Sequence, residues 1–124
     1  MVNVCLIGCG GVGRRHLEAI LKVKHSLNVE VVEPSVVSVN ETKKLLPRFN
    51  NYFSSIDDVS DDIDICVVST TSSVRKDVVL ELVEKKNVKN IILEKVVFQN
   101  ENDFDEVLEL FKDNNIKSWV NCHL

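Results

Sequence analysis

The chain has 124 residues, 44% of them hydrophobic and 27% charged, with a formal net charge of −4 and a pI near 5.3. That length builds one core and is too short for two ordinary domains. The acidic balance offers no basic field for nucleic acid or an anionic membrane surface. Apolar runs such as Ile91-Ile92-Leu93 and Val96-Val97-Phe98 are far too short to span a bilayer. Met1 leads almost directly into strand-like sequence, which leaves no room for a signal peptide and predicts a cytoplasmic protein.

Val2 to Ile7 reads as a first strand running into a glycine turn. The helix after it carries Val12, Leu17, Ala19, Ile20 and Val23 near 3.6-residue spacing. Asn28 to Glu33 is a second strand, closed by Pro34. A weaker helix over Val36 to Leu46 must stop by Pro47, whose ring crowds a helical backbone at the residue before it. Asn51 to Phe53 is a short third strand, followed by one turn around Ile56 to Val59.

The plan then repeats. Ile65 to Ser69 is a buried strand, and Ser72 or Ser73 is placed to cap the next helix, which shows Val74, Val78, Val79, Leu82 and Val83 on one face. Asn90 to Leu93 is a fifth strand. Asn100 caps an amphipathic helix with Phe104, Val107, Leu108 and Phe111 at i, i+3, i+4 and i+7. Lys117 to Cys122 is the sixth strand. Six strands alternating with helices, in two halves of three, predict a three-layer α/β/α Rossmann fold over residues 1–124. Its doubly wound parallel sheet takes the order 3-2-1-4-5-6.

Cys5, Cys9, Cys66 and Cys122 include no C-x-x-C pair, so they read as reduced core thiols and no metal site is expected.

The chemistry sits in the turn Gly8-Cys9-Gly10-Gly11-Val12-Gly13. It follows a strand and opens a helix, within a unit of βαβ length, the setting that gives a G-x-G-x-x-G its meaning. Gly8 permits the tight turn, Gly10 lets a pyrophosphate approach the backbone, and Gly13 lets the helix pack closely on the sheet. The N–H groups of Gly11 and Val12 then face the phosphates at the positive end of the helix dipole. Glu33 ends the second strand 20 residues after Gly13, where a carboxylate accepts from the adenosine ribose hydroxyls, which points to NAD over NADP. A methyltransferase would prefer glycine at position 12 and an acid near position 6, where this chain has Val12 and Leu6. An adenylating enzyme of the ubiquitin-activating type usually brings C-x-x-C pairs, which are absent.

Three stretches fall in a recognisable order: Gly8 through His16, Val67-Val68-Ser69-Thr70-Thr71, and Leu93-Glu94-Lys95. With the closing Trp119-Val120-Asn121-Cys122, the whole chain resembles the amino-terminal domain of the glucose–fructose oxidoreductase / inositol dehydrogenase (Gfo/Idh/MocA) family. The resemblance implies that Ser69, Thr70 and Thr71 line the nicotinamide half of NAD. It places Glu94 at the cofactor and Lys95 as the catalytic residue that reaches the substrate hydroxyl. An ammonium there stabilises charge on the oxygen as hydride moves. The chain departs from the family pattern at Val96, where Pro is usual, at Arg75, where many members carry His, and at Thr70-Thr71, where many carry Thr-Pro. Arg75 is expected to be solvated at a helix start, and His16 to pack on its helix or meet solvent.

The family's enzymes continue into a second α/β domain that supplies the substrate wall, an Asp/His acid–base pair and commonly an oligomer interface. The resemblance therefore implies the NAD-binding part of a longer dehydrogenase acting on a sugar, cyclitol or related polyol. The small-molecule substrate and a homo-oligomeric partner would be reached through that other domain, with the chain alone inactive. The alternative class is a non-catalytic nucleotide-binding or NAD-sensing module.

Overall fold

Period-two alternation along the strands divides the apolar residues between two faces of one sheet. The computed structural model describes residues 1–95, 98 and 100–121. Its strands are β1 (Val2–Ile7), β2 (Leu27–Val32), β3 (Tyr52–Phe53), β4 (Asp62–Val68), β5 (Asn87–Glu94) and β6 (Lys117–Asn121). They pair in parallel throughout, in the order β3-β2-β1-β4-β5-β6. The helices are α1 (Gly11–Ile20), α2 (Val36–Leu45), α3 (Ser72–Lys85) and α4 (Glu101–Asp113), with a short 3-10 turn at Ile56–Asp58.

Leu6, Val31 and Val67 pack with Leu17, Leu46 and Phe49 on the face covered by α1 and α2. Ile7, Val32, Cys66, Val68, Ile91 and Leu93 pack with Val79, Leu82, Val107 and Phe111 on the face covered by α3 and α4. The expected three-layer α/β/α Rossmann fold is the one observed. Register brings Ile7 beside both Val32 and Val68, and Glu94 beside Asn121, so the carboxyl ends of β2, β1, β4, β5 and β6 form one continuous rim.

Several boundaries differ from the sequence reading. Strand β4 begins at Asp62 and β5 at Asn87, each three residues earlier than expected, because Ile63 and Val88 are buried despite polar neighbours. Helix α1 ends at Ile20, and Val23 lies beyond it. Thr71, rather than Ser72 or Ser73, occupies the N-cap of α3. Asn100 caps α4 as expected, its side chain accepting from the Asn102 N–H at 2.9 Å. Cys5, Cys9 and Cys66 are free and buried. The readings that involve Val96 and the last residue of the sixth strand, Cys122, lie outside the described residues. Among the described residues no helix is long and apolar enough to cross a membrane, and no group of three or more metal-ligating side chains comes together.

Candidate nucleotide-binding site

The glycine turn is built by two steric demands. Gly8 holds φ +93°, a left-handed conformation that side chains rarely adopt, and this turns the chain sharply out of β1. A Cβ on Gly13 would lie 2.0 Å from the Gly8 carbonyl oxygen, so only glycine lets α1 start so close to the strand that feeds it. Gly10 and Gly11 are different. A Cβ on either would meet nothing within 4 Å, so their backbone borders open space instead of packed protein.

The side-chain oxygens of Ser35 and Asn100 accept from first-turn amides of α2 and α4. The first turns of α1 and α3, which face the rim, have no side-chain cap. Their leading amides keep the partial positive charge of a helix start and are suited to an anion.

Glu33 reaches back over the turn. Its Oε1 accepts from the Cys9 N–H at 3.0 Å and its Oε2 from the Ser35 N–H at 3.0 Å, which fixes the carboxylate at the carboxyl end of β2. Each oxygen keeps a further lone pair for an incoming hydroxyl. Burial pushes the Cys9 thiol above its ordinary pKa, against a hydrogen bond with Thr42 that lowers it, and the residue packs buried inside the turn.

Two connected hollows follow the rim. A crevice of about 600 Å³ runs from Gly8 and Gly10 past Glu33 and Pro34 to the 3-10 turn and the flank of α3. A pocket of about 320 Å³ is lined by Val12, Ser72, Arg75, Glu94 and Lys95. Ser69, Thr70 and Thr71 line both, so they form the bridge between the two halves. Ser69 is held by bonds from its hydroxyl to the carbonyls of Ile7 at 3.1 Å and Gly8 at 2.6 Å. The Thr70 Oγ1 is buried with no hydrogen-bond partner among the described residues. A separate hollow of about 330 Å³ lies by His25, Arg48 and Asn50, touching none of these residues.

The sequence reading missed a cluster behind the smaller pocket. Glu94 is only 4% exposed, and its carboxylate pairs with His16 of α1 and accepts from Asn121 Nδ2 of β6 at 3.0 Å. Arg75 is 3% exposed, not solvated as the sequence suggested. Its guanidinium donates to the Glu94 carbonyl at 2.5 Å and to the Thr70 carbonyl. Burial lowers the Arg75 pKa, and the neighbouring Glu94 carboxylate opposes that shift. Four elements are thereby tied together immediately behind the exposed Lys95. Arg75 lies in the first turn of α3 and Asn121 ends β6, but His16 sits mid-way along α1, so no local sequence pattern marks the cluster.

Fold and crevice together define a dinucleotide-binding Rossmann domain. The family model for Gfo/Idh/MocA, described as an oxidoreductase family with an NAD-binding Rossmann fold, matches residues 2–122, and the chain belongs to that family. Among solved structures, the chain is similar to the WlbA dehydrogenase from Bordetella pertussis in complex with NADH and UDP-GlcNAcA, with a TM-score of 0.81 and 17% identity over 97% of this chain and 36% of that one. It is similar to apo scyllo-inositol dehydrogenase from Lactobacillus casei, with a TM-score of 0.78 and 17% identity over 98% and 36%. It is also similar to the super-repressor mutant of Gal80p from Saccharomyces cerevisiae, with a TM-score of 0.80 and 16% identity over 97% and 34%. The chain thus spans about a third of the length of these structures, and at such identities the likeness is one of fold. Comparison with curated proteins yields no significant match.

The residues present fit NAD on the structure's own terms. Open space lies over Gly10 and Gly11, two uncapped helix starts face the rim, and a buried threonine hydroxyl has no protein partner among the described residues.

Proposed function

We propose that this chain is the NAD(H)-holding domain of an oxidoreductase that moves a hydride between nicotinamide and a secondary alcohol or ketone of a sugar, cyclitol or related polyol. The observation that carries the reading is Glu33, whose carboxylate is fixed beside the glycine turn by the Cys9 and Ser35 amides. In this reading Glu33 accepts from the adenosine ribose hydroxyls. Gly8 and Gly13 shape the turn, while Gly10 and the amides of Gly11 and Val12 receive the pyrophosphate. Ser69, Thr70 and Thr71 line the nicotinamide half, with Glu94 in the wall behind it. Lys95 presents its ammonium to the reacting oxygen and stabilises the charge that develops there. The bound cofactor supplies the hydride chemistry, and the protein orients and encloses it.

The polyol assignment draws support from WlbA, described with NADH and UDP-GlcNAcA, and from scyllo-inositol dehydrogenase. Since those chains are nearly three times longer, the substrate wall, an acid–base pair and an oligomer interface are assigned to a second domain. A second reading, a non-catalytic NAD-sensing module, is favoured by the likeness to Gal80p, described as a super-repressor mutant. Turnover of a polyol by the protein carrying its substrate domain separates the two.

Calorimetric titration of NAD and NADP tests the role of Glu33. Two unit charges about 4 Å apart repel by roughly 4 kcal/mol at an effective dielectric near 20. If a third to a half of that survives screening, NAD binds roughly 10- to 30-fold tighter than NADP. Pro34, Ser35 and Val36 bring no cation to a 2′-phosphate. Glu33→Ala weakens NAD modestly and removes most of the preference. Equal wild-type affinities, or tighter NADP, would take Glu33 out of the ribose site.

A further inference from the structure

The larger crevice does not end at Glu33. Beside Pro34 it is also lined by Ser55 and Ile56 and by Val74, Val78 and Glu81 of α3. A prolyl ring and three branched aliphatic side chains line this part, which suits a largely apolar group, and the carboxylate-bearing Glu81 lines it with them. Glu81 and Glu33 are the two charged side chains that line the crevice, and both are acidic.

Glu81 stands one helical turn before Lys85, and its Oε1 takes an ion pair from Lys85 Nζ at 3.1 Å. Lys85 is also paired with Asp57 Oδ1 at 2.8 Å, so this lysine does not depend on Glu81 to be neutralised. The Glu81 Oε2 has no hydrogen-bond partner among the described residues.

We infer that Glu81 is a base-reading residue: its carboxylate accepts a hydrogen bond from the exocyclic amine of the nucleobase held between Pro34 and α3. The inference rests on the NAD reading above and goes beyond it by assigning which edge of the base is read and by which side chain. The chemistry is directional. A carboxylate is an acceptor only, so it favours a base edge that offers N–H donors and disfavours one that offers a carbonyl oxygen. Adenine presents its 6-amino group as a donor. Hypoxanthine presents an oxygen at the same position, and an acceptor would then face an acceptor. Discrimination by a partly exposed charged acceptor is expected at about tenfold, within the range for hydrogen bonds to charged groups.

The test is calorimetric titration of the 124-residue chain with NAD and with its hypoxanthine analogue, deamino-NAD, for the wild type, Glu81→Gln and Glu81→Ala. An amide offers both a donor and an acceptor, so Glu81→Gln serves either base, while Glu81→Ala serves neither. Far-ultraviolet circular dichroism establishes that each variant is folded. The expected result is about tenfold tighter NAD than deamino-NAD for the wild type, falling below about twofold in both variants. Equal wild-type affinities would overturn the inference while leaving the NAD reading standing. So would a tenfold preference that persists in both variants, which places the reader elsewhere. A folded wild type that binds neither dinucleotide would overturn the NAD reading and this inference with it.

Discussion

Each glycine of the turn meets a different physical demand, and the demands separate experimentally. At Gly13 an added methyl carbon would sit 2.0 Å from the Gly8 carbonyl oxygen, a backbone atom that cannot rotate away, so α1 must lift from β1. Gly13→Ala should lose about 3 kcal/mol of folding stability, the upper part of the range for overpacking. At Gly10 an added methyl meets nothing, and the residue already holds φ −69°, a value any amino acid adopts. Gly10→Ala should therefore change stability by less than about 0.5 kcal/mol. It should nevertheless weaken NAD at least tenfold, because the methyl occupies the approach of the pyrophosphate. Urea denaturation and calorimetry on the two variants read both effects. A Gly10→Ala protein that binds NAD like the wild type would show that the cofactor does not pass over this turn. The close packing at Gly13 was legible in the sequence, since the motif's spacing encodes it. The pairing of His16 with Glu94 was not, because residues 78 positions apart carry no local periodicity.

At the scale of elements, Arg75 is where local reading and tertiary structure part company. A charged residue in the first turn of α3 reads as solvated, yet it is buried and ties the carbonyl ends of β4 and β5 together through Thr70 and Glu94. Arg75→Met keeps the apolar stem and removes the guanidinium, leaving two carbonyls without that donor. A loss of about 2–4 kcal/mol is expected, measured by urea denaturation. A neutral result would mean that water or rearranged backbone satisfies both carbonyls. Arg75→Lys should restore little, since one ammonium does not reproduce the planar fork. The early starts of β4 and β5 have a related cause. Asp62, Asp64, Asn87 and Asn90 are poor strand formers by composition. In the sheet the Asp64 carboxylate accepts from the Asn3 N–H at 2.8 Å, and Asn87 and Asn90 donate to Asp62 Oδ1 at 2.9 Å and the Asp64 carbonyl at 2.8 Å. Cross-strand bonds between neighbours distant in sequence supply what propensity lacks. Where the apolar pattern was unbroken, as in the run Val4 to Ile7 of β1 and the helical spacing of α4, position and cap were readable directly.

For the molecule as a whole, the contrast is between a long crevice lined by the glycine turn and Glu33 and a smaller pocket in which Glu94 and Arg75 are already engaged. The larger crevice and the smaller pocket share Ser69, Thr70 and Thr71, so the two hollows adjoin along the rim, as the proposed binding of one extended dinucleotide requires. The chain alone should bind NAD. At about 100 times Kd, ligand linkage adds about 2.7 kcal/mol, which for a domain of this size raises the thermal midpoint by roughly 10 °C. Turnover asks for more. Of the ionisable side chains lining the smaller pocket, Glu94 is bonded by His16 and Asn121, and Arg75 is occupied with backbone carbonyls. If Lys95 stabilises the reacting oxygen as proposed, a further group is needed to relay the proton, and the other ionisable side chains described in the pocket are engaged in these bonds. Incubation of residues 1–124 with NAD and a panel of cyclitols and sugars should give nicotinamide reduction indistinguishable from background, while the thermal shift with NAD is present. Robust turnover by this chain would overturn the division of labour proposed between two domains. In the protein carrying the substrate domain, Lys95→Ala should lower turnover by about 10²–10³-fold, the scale for losing one charge-stabilising donor, with NAD affinity little changed. Normal turnover in that variant would return Lys95 to an ordinary solvated residue at the end of β5.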